Sequence, residues 1–406
     1  MTYRKFKADY LFTGREMAAE GSVLVTAADG TVVAILPAAE AGEDVETYRG
    51  LLSPGFINCH CHLELSHMKG VLPERTGLVD FLLTVIRQRN AGEAGISMQE
   101  KIQAAMAAAE EAMLDNGIVA VGDICNTADT LPLKRGGRLY YHNFIETMGF
   151  VPQGARDRFD SSRRVFESFA EAYNEPMEAN SLVPHAPYSV SSPLFELIAG
   201  FPGNHILTIH NQETAAENTF YLTGKGDFLR LYAAMGLDTS FFPGTGKRSL
   251  ESYLPHFYRN QSLILVHNVD TTEEDLRWLS AAPSSLRSGG PQLFFCLCPN
   301  ANLYISGQLP DPDLLIRYGH TIVTGTDSLA SNHQLSILEE LKTIQHHFPH
   351  LPTAQLLQWA TFNGAAALQL DSILGSFAKS RQPGVLVIED LEGDRFSSAS
   401  KVKRLL

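Results

Sequence analysis

Residues Ser53-Pro-Gly-Phe-Ile-Asn-Cys-His-Cys-His-Leu-Glu-Leu-Ser66 decide how the rest of the chain is read. Pro54 and Gly55 punctuate the entry to a short apolar run, which ends in the alternation Cys59, His60, Cys61, His62. A strand points residues i and i+2 to the same face. His60 and His62 therefore project together, and two imidazoles at one strand end are a candidate pair of metal ligands. A chain with 14 His also produces such pairs by chance, so the reading turns on whether the remaining ligands and a base appear elsewhere.

Working outward, the 406 residues can bury a large core, and one big domain with a satellite is the default organisation. A hydrophobic share of 44% with 19% charged residues describes an ordinary globular protein. The net charge of -13 argues against nucleic-acid binding, which needs clustered Lys and Arg. No apolar run approaches the roughly 20 residues of a membrane span. The opening Met1-Thr-Tyr-Arg-Lys-Phe-Lys7 lacks the apolar centre of a secretory signal. Five Cys is an odd count that suits a reducing cytoplasm. The expectation is a cytoplasmic protein with a small-molecule substrate, no membrane partner, and a homodimer as the base-rate assembly.

The first fifty residues read as β, with Val23–Thr26 and Thr31–Leu36 joined across Asp29-Gly30 as a hairpin. From Ser53 the chain alternates apolar runs with helical stretches. The runs are Phe56–Cys59, Ile118–Asp123, Leu139–Glu146, Ser181–His185, His205–His210, Leu263–His267, Gln292–Cys298 and Thr321–Asp327. Between them, Ser97-Met-Gln-Glu100 is a capping box opening a helix that Asn116-Gly117 stops. Thr271-Thr-Glu-Glu274 opens another, and Gln334–Leu341 carries helical spacing. This alternation predicts an α/β fold, a (β/α)₈ TIM-type barrel over residues 53–371. Residues 1–52 and 372–406, both β, are expected to pack together as a small β-sandwich domain. The long segment from His210 to Leu263 is expected to cover the substrate, since barrel function sits on the loops that follow strands.

The runs end at His60/His62, Asp123, Glu146, His185, His210, His267, Cys298 and Asp327. In this fold those ends share one rim, where the chemistry sits. Nitrogen and carboxylate ligands without thiolate suit Zn²⁺ or Fe²⁺. Cys296 and Cys298 form a C-x-C pair that strand alternation explains more simply as small core residues.

Pro54–His62 resembles the first-strand motif of the amidohydrolase superfamily, and the chain looks like its branch of adenosine, S-adenosylhomocysteine and methylthioadenosine deaminases, guanine deaminases and triazine hydrolases. His185-Ala-Pro-Tyr-Ser, Thr208–Thr214, Pro299–Leu303, Gly325–Ser328 with Ser331-Asn332, and Ala360–Ala365 extend the resemblance over almost the whole chain. Carried over by position, it implies that His60, His62, His210 and Asp327 bind one divalent metal, Zn²⁺ first and Fe²⁺ second. Binuclear members carry a carboxylated Lys at the end of the fourth strand; here that strand ends in His185, which implies a mononuclear site and a substrate-contacting His.

The implied reaction is hydrolytic deamination of an aminopurine nucleoside, of the adenosine, S-adenosylhomocysteine, methylthioadenosine or 6-amino-6-deoxyfutalosine type. The divalent ion acidifies its water to a pKa of about 7, making hydroxide available. Glu213 is placed to protonate a ring nitrogen, or else to serve as a helix N-terminal carboxylate. His267 and Asp327 orient the water and move its proton. Asp80 lines up with a carboxylate that contacts ribose in relatives, or is a solvated helix residue. Glu146 either faces the pocket or pairs with an Arg, and Asp123 has a structural role. The segment Leu297-Cys-Pro-Asn-Ala-Asn302 departs from the His-Cys-Pro-x-Ser-Asn of relatives, which costs no metal ligand but leaves the polar contacts of that segment open. A guanine or triazine aminohydrolase (or chlorohydrolase) is the enzymatic alternative, and a non-catalytic barrel relative the alternative outside catalysis.

Overall fold

The computed structural model describes residues 3–89, 97–172, 178–281 and 290–406. The apolar runs form strands β1 (Phe56–Cys61), β2 (Ile118–Cys125), β3 (Tyr140–Thr147), β4 (Glu178–Pro184), β5 (Ile206–Asn211), β6 (Ser262–His267), β7 (Gln292–Leu297) and β8 (Thr321–Thr324). They make two four-stranded sheets, in the orders β4-β3-β2-β1 and β5-β6-β7-β8. Every pairing within them is parallel. Parallel sheets bury both faces, and accordingly each residue of β1, β2, β5 and β6 is buried.

The two sheets meet at both edges. Cys61 and Asp327 form a parallel bridge, and the amides of Thr326 and Asp327 donate to His60 O at 3.1 and 3.0 Å. At the opposite edge His210 N donates to His185 O at 2.9 Å. Gly325 permits the first contact: a Cβ there would stand 2.9 Å from His60 Cβ and 3.0 Å from Cys296 Sγ. Both edge junctions lie at the strand ends that carry the predicted ligands.

The terminal segments build two further sheets. One contains Tyr3–Lys7, Ser22–Ala27, Val32–Pro37 and Glu46–Thr47; the other contains Tyr10–Leu11, Leu51–Ser53, Leu386–Glu389 and Lys401–Arg404. Phe6, Leu24, Leu52, Val385 and Val387 share one buried cluster, so the first and last segments pack on each other. The expected hairpin pairs Val23 with Leu36. Its turn is held by Gly30 at φ +87° and by Asp29 Oδ1, which accepts from Thr31 N at 3.0 Å.

The helix starts show which signals carry. Ser97 and Glu100 cap the helix Met98–Asp115 reciprocally, as expected. The second expected cap moves by one residue: Thr272 N and Oγ1 both donate to Asp275 Oδ2 at 2.8 Å, and the helix runs Glu273–Ala281. The third helix starts later than Gln334, at Ile337 after the cap residue Ser336, because Ser331 and Asn332 are engaged around Asp327 and Thr326.

Candidate active site

Strand alternation delivers His60 at the end of β1 and His62 just beyond it. The ends of β5, β6 and β8 bring up His210, His267 and Asp327. His60 Nε2 and His62 Nε2 each lie 3.5 Å from Asp327 Oδ1. His62 Nε2 is 3.2 Å from His210 Nε2. Ligand-capable atoms of His60, His62 and Asp327 lie within 4.8 Å of one another, and so do those of His60, His210 and His267. The backbone is strained here: Gln212, His267, Asn268 and Asp327 have φ of 45°, 78°, 62° and 56°. Non-glycine residues hold such angles only where surrounding structure imposes them.

Burial holds His60, His62 and His267 well below the ordinary imidazole pKa, and His210 below it, burial first and His185 second. The rings are therefore neutral, the state in which an imidazole ligates a metal. His60 is fully buried, and neither of its ring nitrogens has a hydrogen-bond partner among the described residues. A buried polar group without a partner is costly, and a cation at Nε2, the nitrogen turned toward Asp327, relieves it there. Ser331 Oγ donates to Asp327 Oδ2, which leaves Oδ1 turned toward the histidines. His210 Nδ1 is committed to His185 O at 2.7 Å, which frees its Nε2. Imidazole nitrogens and a carboxylate oxygen gathered this closely fit a divalent ion.

Glu213 is 5% exposed, with Oε1 3.7 Å from His267 Nε2. Burial, then the nearby Asp327 and Glu217, push its carboxyl well above the usual range. Asn302 Nδ2 lies 3.0 Å from His267 Nδ1, so the altered segment Leu297–Asn302 does supply a polar contact to the site. His185 faces the same space and is oriented by Ser189 Oγ at 2.7 Å from its Nδ1. Glu217 stands behind it: fully buried, it accepts from Gln212 N at 3.0 Å, and burial lifts it to about 7.

Of these groups, His62, His185, His210, Glu213, His267 and Asp327 line a cavity of about 660 Å³. Its other end is apolar, walled by Leu78, Phe81, Leu82 and Val85 of the helix Leu78–Gln88 and by Leu231 and Tyr232 of the helix Phe228–Ala234. The second helix belongs to the long segment after β5, which thus covers the cavity. Asp80 is not brought to it. Residues 78, 81, 82 and 85 occupy one helical face, Asp80 lies on the opposite face, and its carboxylate pairs with Arg230 at 2.6 Å. Glu146 does line the cavity. Asp123 lies behind β1, where its Oδ1 accepts from Leu63 N at 2.9 Å and its Oδ2 pairs with the buried Lys134 at 2.6 Å. All five cysteines are buried and free.

Asn302 and Ser331 entered the sequence reading only within motifs, with no role of their own, and Arg89 and Asn126 escaped it. The first two contact ligating or catalytic candidates through hydrogen bonds, and nothing in local composition marks such a role. Arg89 follows an amphipathic helix whose register, once Leu78 is fixed, turns it to the cavity.

The sequence pattern of the amidohydrolase family matches residues 51–395. An adenosine deaminase of Helicobacter pylori is 27% identical over 327 residues, covering 79% of this chain and 75% of that protein. A 5-methylthioadenosine/S-adenosylhomocysteine deaminase of Teredinibacter turnerae is 26% identical over 359 residues, 84% of this chain and 72% of that one. The crystal structure of Helicobacter pylori aminofutalosine deaminase in complex with methylthio-coformycin superposes with a TM-score of 0.81 at 21% identity, covering 99% of this chain and 100% of that one.

Proposed function

The chain belongs to the amidohydrolase family, and from that premise we propose that it is a mononuclear, zinc-dependent hydrolytic deaminase of aminopurine nucleosides. The observation that carries this reading is the buried Glu213 carboxyl 3.7 Å from His267 Nε2, lining one cavity with His62, His210 and Asp327. The relatives bearing deaminase names support the C–N bond as the one cleaved. We read the two parallel sheets as one eight-stranded barrel over residues 53–371, with residues 1–52 and 372–406 as a small β domain beside it.

A divalent ion held by His60, His62, His210 and Asp327 supplies a water that is acidic enough to react at neutral pH. The protein groups do the rest. Because burial pushes the Glu213 carboxyl well above its usual range and so favours the protonated form, it can donate a proton to a ring nitrogen and leave the amine-bearing carbon electrophilic. His267, fixed through Nδ1 by Asn302, orients the incoming water with Nε2. Asp327, with Oδ2 held by Ser331, accepts the water's proton and returns it to the departing amine. A C–O bond forms, the C–N bond breaks, ammonia leaves with the proton carried by Asp327, and the proton left on the new oxygen passes back to Glu213 as the C=O forms.

The test is an ammonia-release screen of the zinc-loaded protein across adenosine, 5′-methylthioadenosine, S-adenosylhomocysteine, guanine and aminotriazines, alongside elemental analysis. One equivalent of metal and release from the purine nucleosides are expected. Release only from guanine or a triazine refutes the nucleoside reading, and two equivalents of metal refute the mononuclear one.

A further inference from the structure

One corner of the cavity is built more elaborately than a wall requires. Arg89 follows the helix Leu78–Gln88 directly and lines the cavity. Its Nη2 is anchored on the buried carboxylate of Glu64. The other Glu64 oxygen accepts from Asn126 N at 3.0 Å, Thr127 N at 3.2 Å and Thr127 Oγ1 at 3.3 Å, so the anchor is itself fixed from three sides. Arg89 Nη1 donates to Asn126 Oδ1 at 3.3 Å, and Asn126 Nδ2 donates to Glu146 Oε2 at 2.9 Å. The line of hydrogen bonds stops there. Glu146 is 7% exposed, and its Oε1 has no partner among the described residues. His210 Nδ1, at 3.8 Å from it, is already engaged with His185 O. Arg89, Asn126 and Glu146 all line the cavity.

A buried acceptor held in place and left open calls for a donor from the ligand. The adjoining guanidinium still has N–H groups to give. A hydroxyl satisfies both, because it donates to a carboxylate oxygen and accepts from an N–H. An anionic group would face two carboxyl groups, Glu64 and Glu146, across one guanidinium already taken up by Glu64.

We propose that Arg89, anchored on Glu64, is a positioning residue that holds Asn126, and through it Glu146, as the acceptor for a hydroxyl of the substrate's sugar. The proposal rests on the reading of the enzyme as a nucleoside deaminase. It assigns sugar recognition to the strand β3 and the turn after β2, and removes it from Asp80.

The test compares adenosine with 2′,3′-dideoxyadenosine in the zinc-loaded full-length wild type, Arg89→Met, Arg89→Lys and Asn126→Ala, with melting curves as the check on folding. The wild type is expected to prefer adenosine by more than about tenfold in kcat/KM. Arg89→Met and Asn126→Ala are expected to lower kcat/KM for adenosine by about tenfold or more, carried by KM. The dideoxy compound, with no hydroxyl to lose there, changes much less, so the preference collapses; Arg89→Lys restores part of it. Asn126→Ala leaves the Arg89–Glu64 ion pair in place and keeps the test sound if Arg89→Met does not fold. An active wild type indifferent to the hydroxyls, or variants that lose both substrates equally through kcat, overturns the hydroxyl corner alone. A wild type that releases ammonia from no aminopurine nucleoside overturns the functional reading and this proposal with it.

Discussion

The two ends of the cavity are built by different means. At the polar end, every candidate ligand sits at or just past the end of a buried parallel strand, and its partners come from other strand ends. At the apolar end, the walls are helices of the connections, Leu78–Gln88 and Phe228–Ala234, joined at the surface by the Asp80–Arg230 pair. Strand ends are held on both sides by ladder hydrogen bonds and by strained residues that the ladder enforces, so they fix atoms to fractions of an ångström. Helical walls meet through apolar side chains, which fix volume and shape but little direction. On the proposed reading the chemistry and the sugar hydroxyl belong to the first end and the fit of the rest of the substrate to the second, and changes at the two ends are expected to fail in different ways.

The sharpest contrast comes from Glu213→Gln. The replacement keeps the shape and removes the proton, so metal content by elemental analysis is expected to stay at one equivalent while kcat falls by about 10²–10⁴-fold. Retained turnover would remove Glu213 from the reaction. Asn302→Ala acts one step back, by releasing His267 from its Nδ1 contact. A loss of about ten- to a hundredfold in kcat, with KM little changed, is expected. At the other end Leu231→Ala removes part of a wall, and KM for the best nucleoside is expected to rise about tenfold with kcat preserved. A kcat loss there would dissolve the distinction between the two ends.

Legibility in the sequence followed the same division. The alternation Cys59, His60, Cys61, His62 revealed the direction of two side chains because a strand has a period of two. Each later run then declared its ionisable end residue. His210, His267 and Asp327 were legible for that reason, and so was the location of Glu146. Asp80 was misplaced because a motif's position along a helix does not give its phase: two residues away from Leu78, a carboxylate looks outward. The roles of Asn302 and Ser331 were not legible, because neither the Asn302–His267 contact across 35 positions nor the turn that brings Ser331 onto Asp327, four positions away, leaves a local pattern. The cap at Thr272 was one residue from its expected place because Thr271 and Thr272 offer the same chemistry, and only the reach to Asp275 separates them.

Support behind the polar end can be tested by pH. Glu340 is fully buried, where its Oε2 accepts from Asn300 N at 2.9 Å and its Oε1 from Asn332 Nδ2 at 2.8 Å. Burial lifts its pKa from 4.5 to about 8. The folded protein thus holds a proton that the unfolded chain releases, so this contribution to stability is complete below about pH 4.5 and is lost as pH rises through about 8. Glu340→Gln mimics the protonated form and is expected to flatten the fall in Tm between about pH 5 and 8. An unchanged slope would place the titrating group elsewhere.

The smallest effect is expected from Asp80→Asn, and it bears directly on the comparison. Asp80 and Arg230 join the two apolar walls from outside, in water, with their side chains 49% and 54% exposed. An exposed pair is screened and holds its geometry weakly, and Arg230 keeps a second partner in Asp227 at 2.9 Å. Asp80→Asn is therefore expected to change kcat/KM for adenosine by less than about twofold, with no change in the preference for adenosine over its dideoxy analogue. A selective loss of that preference would mean that the helix turns its carboxylate inward when substrate binds. The sugar contact would then lie on the helical wall, and the division between an end that reacts and an end that only encloses would have to be redrawn.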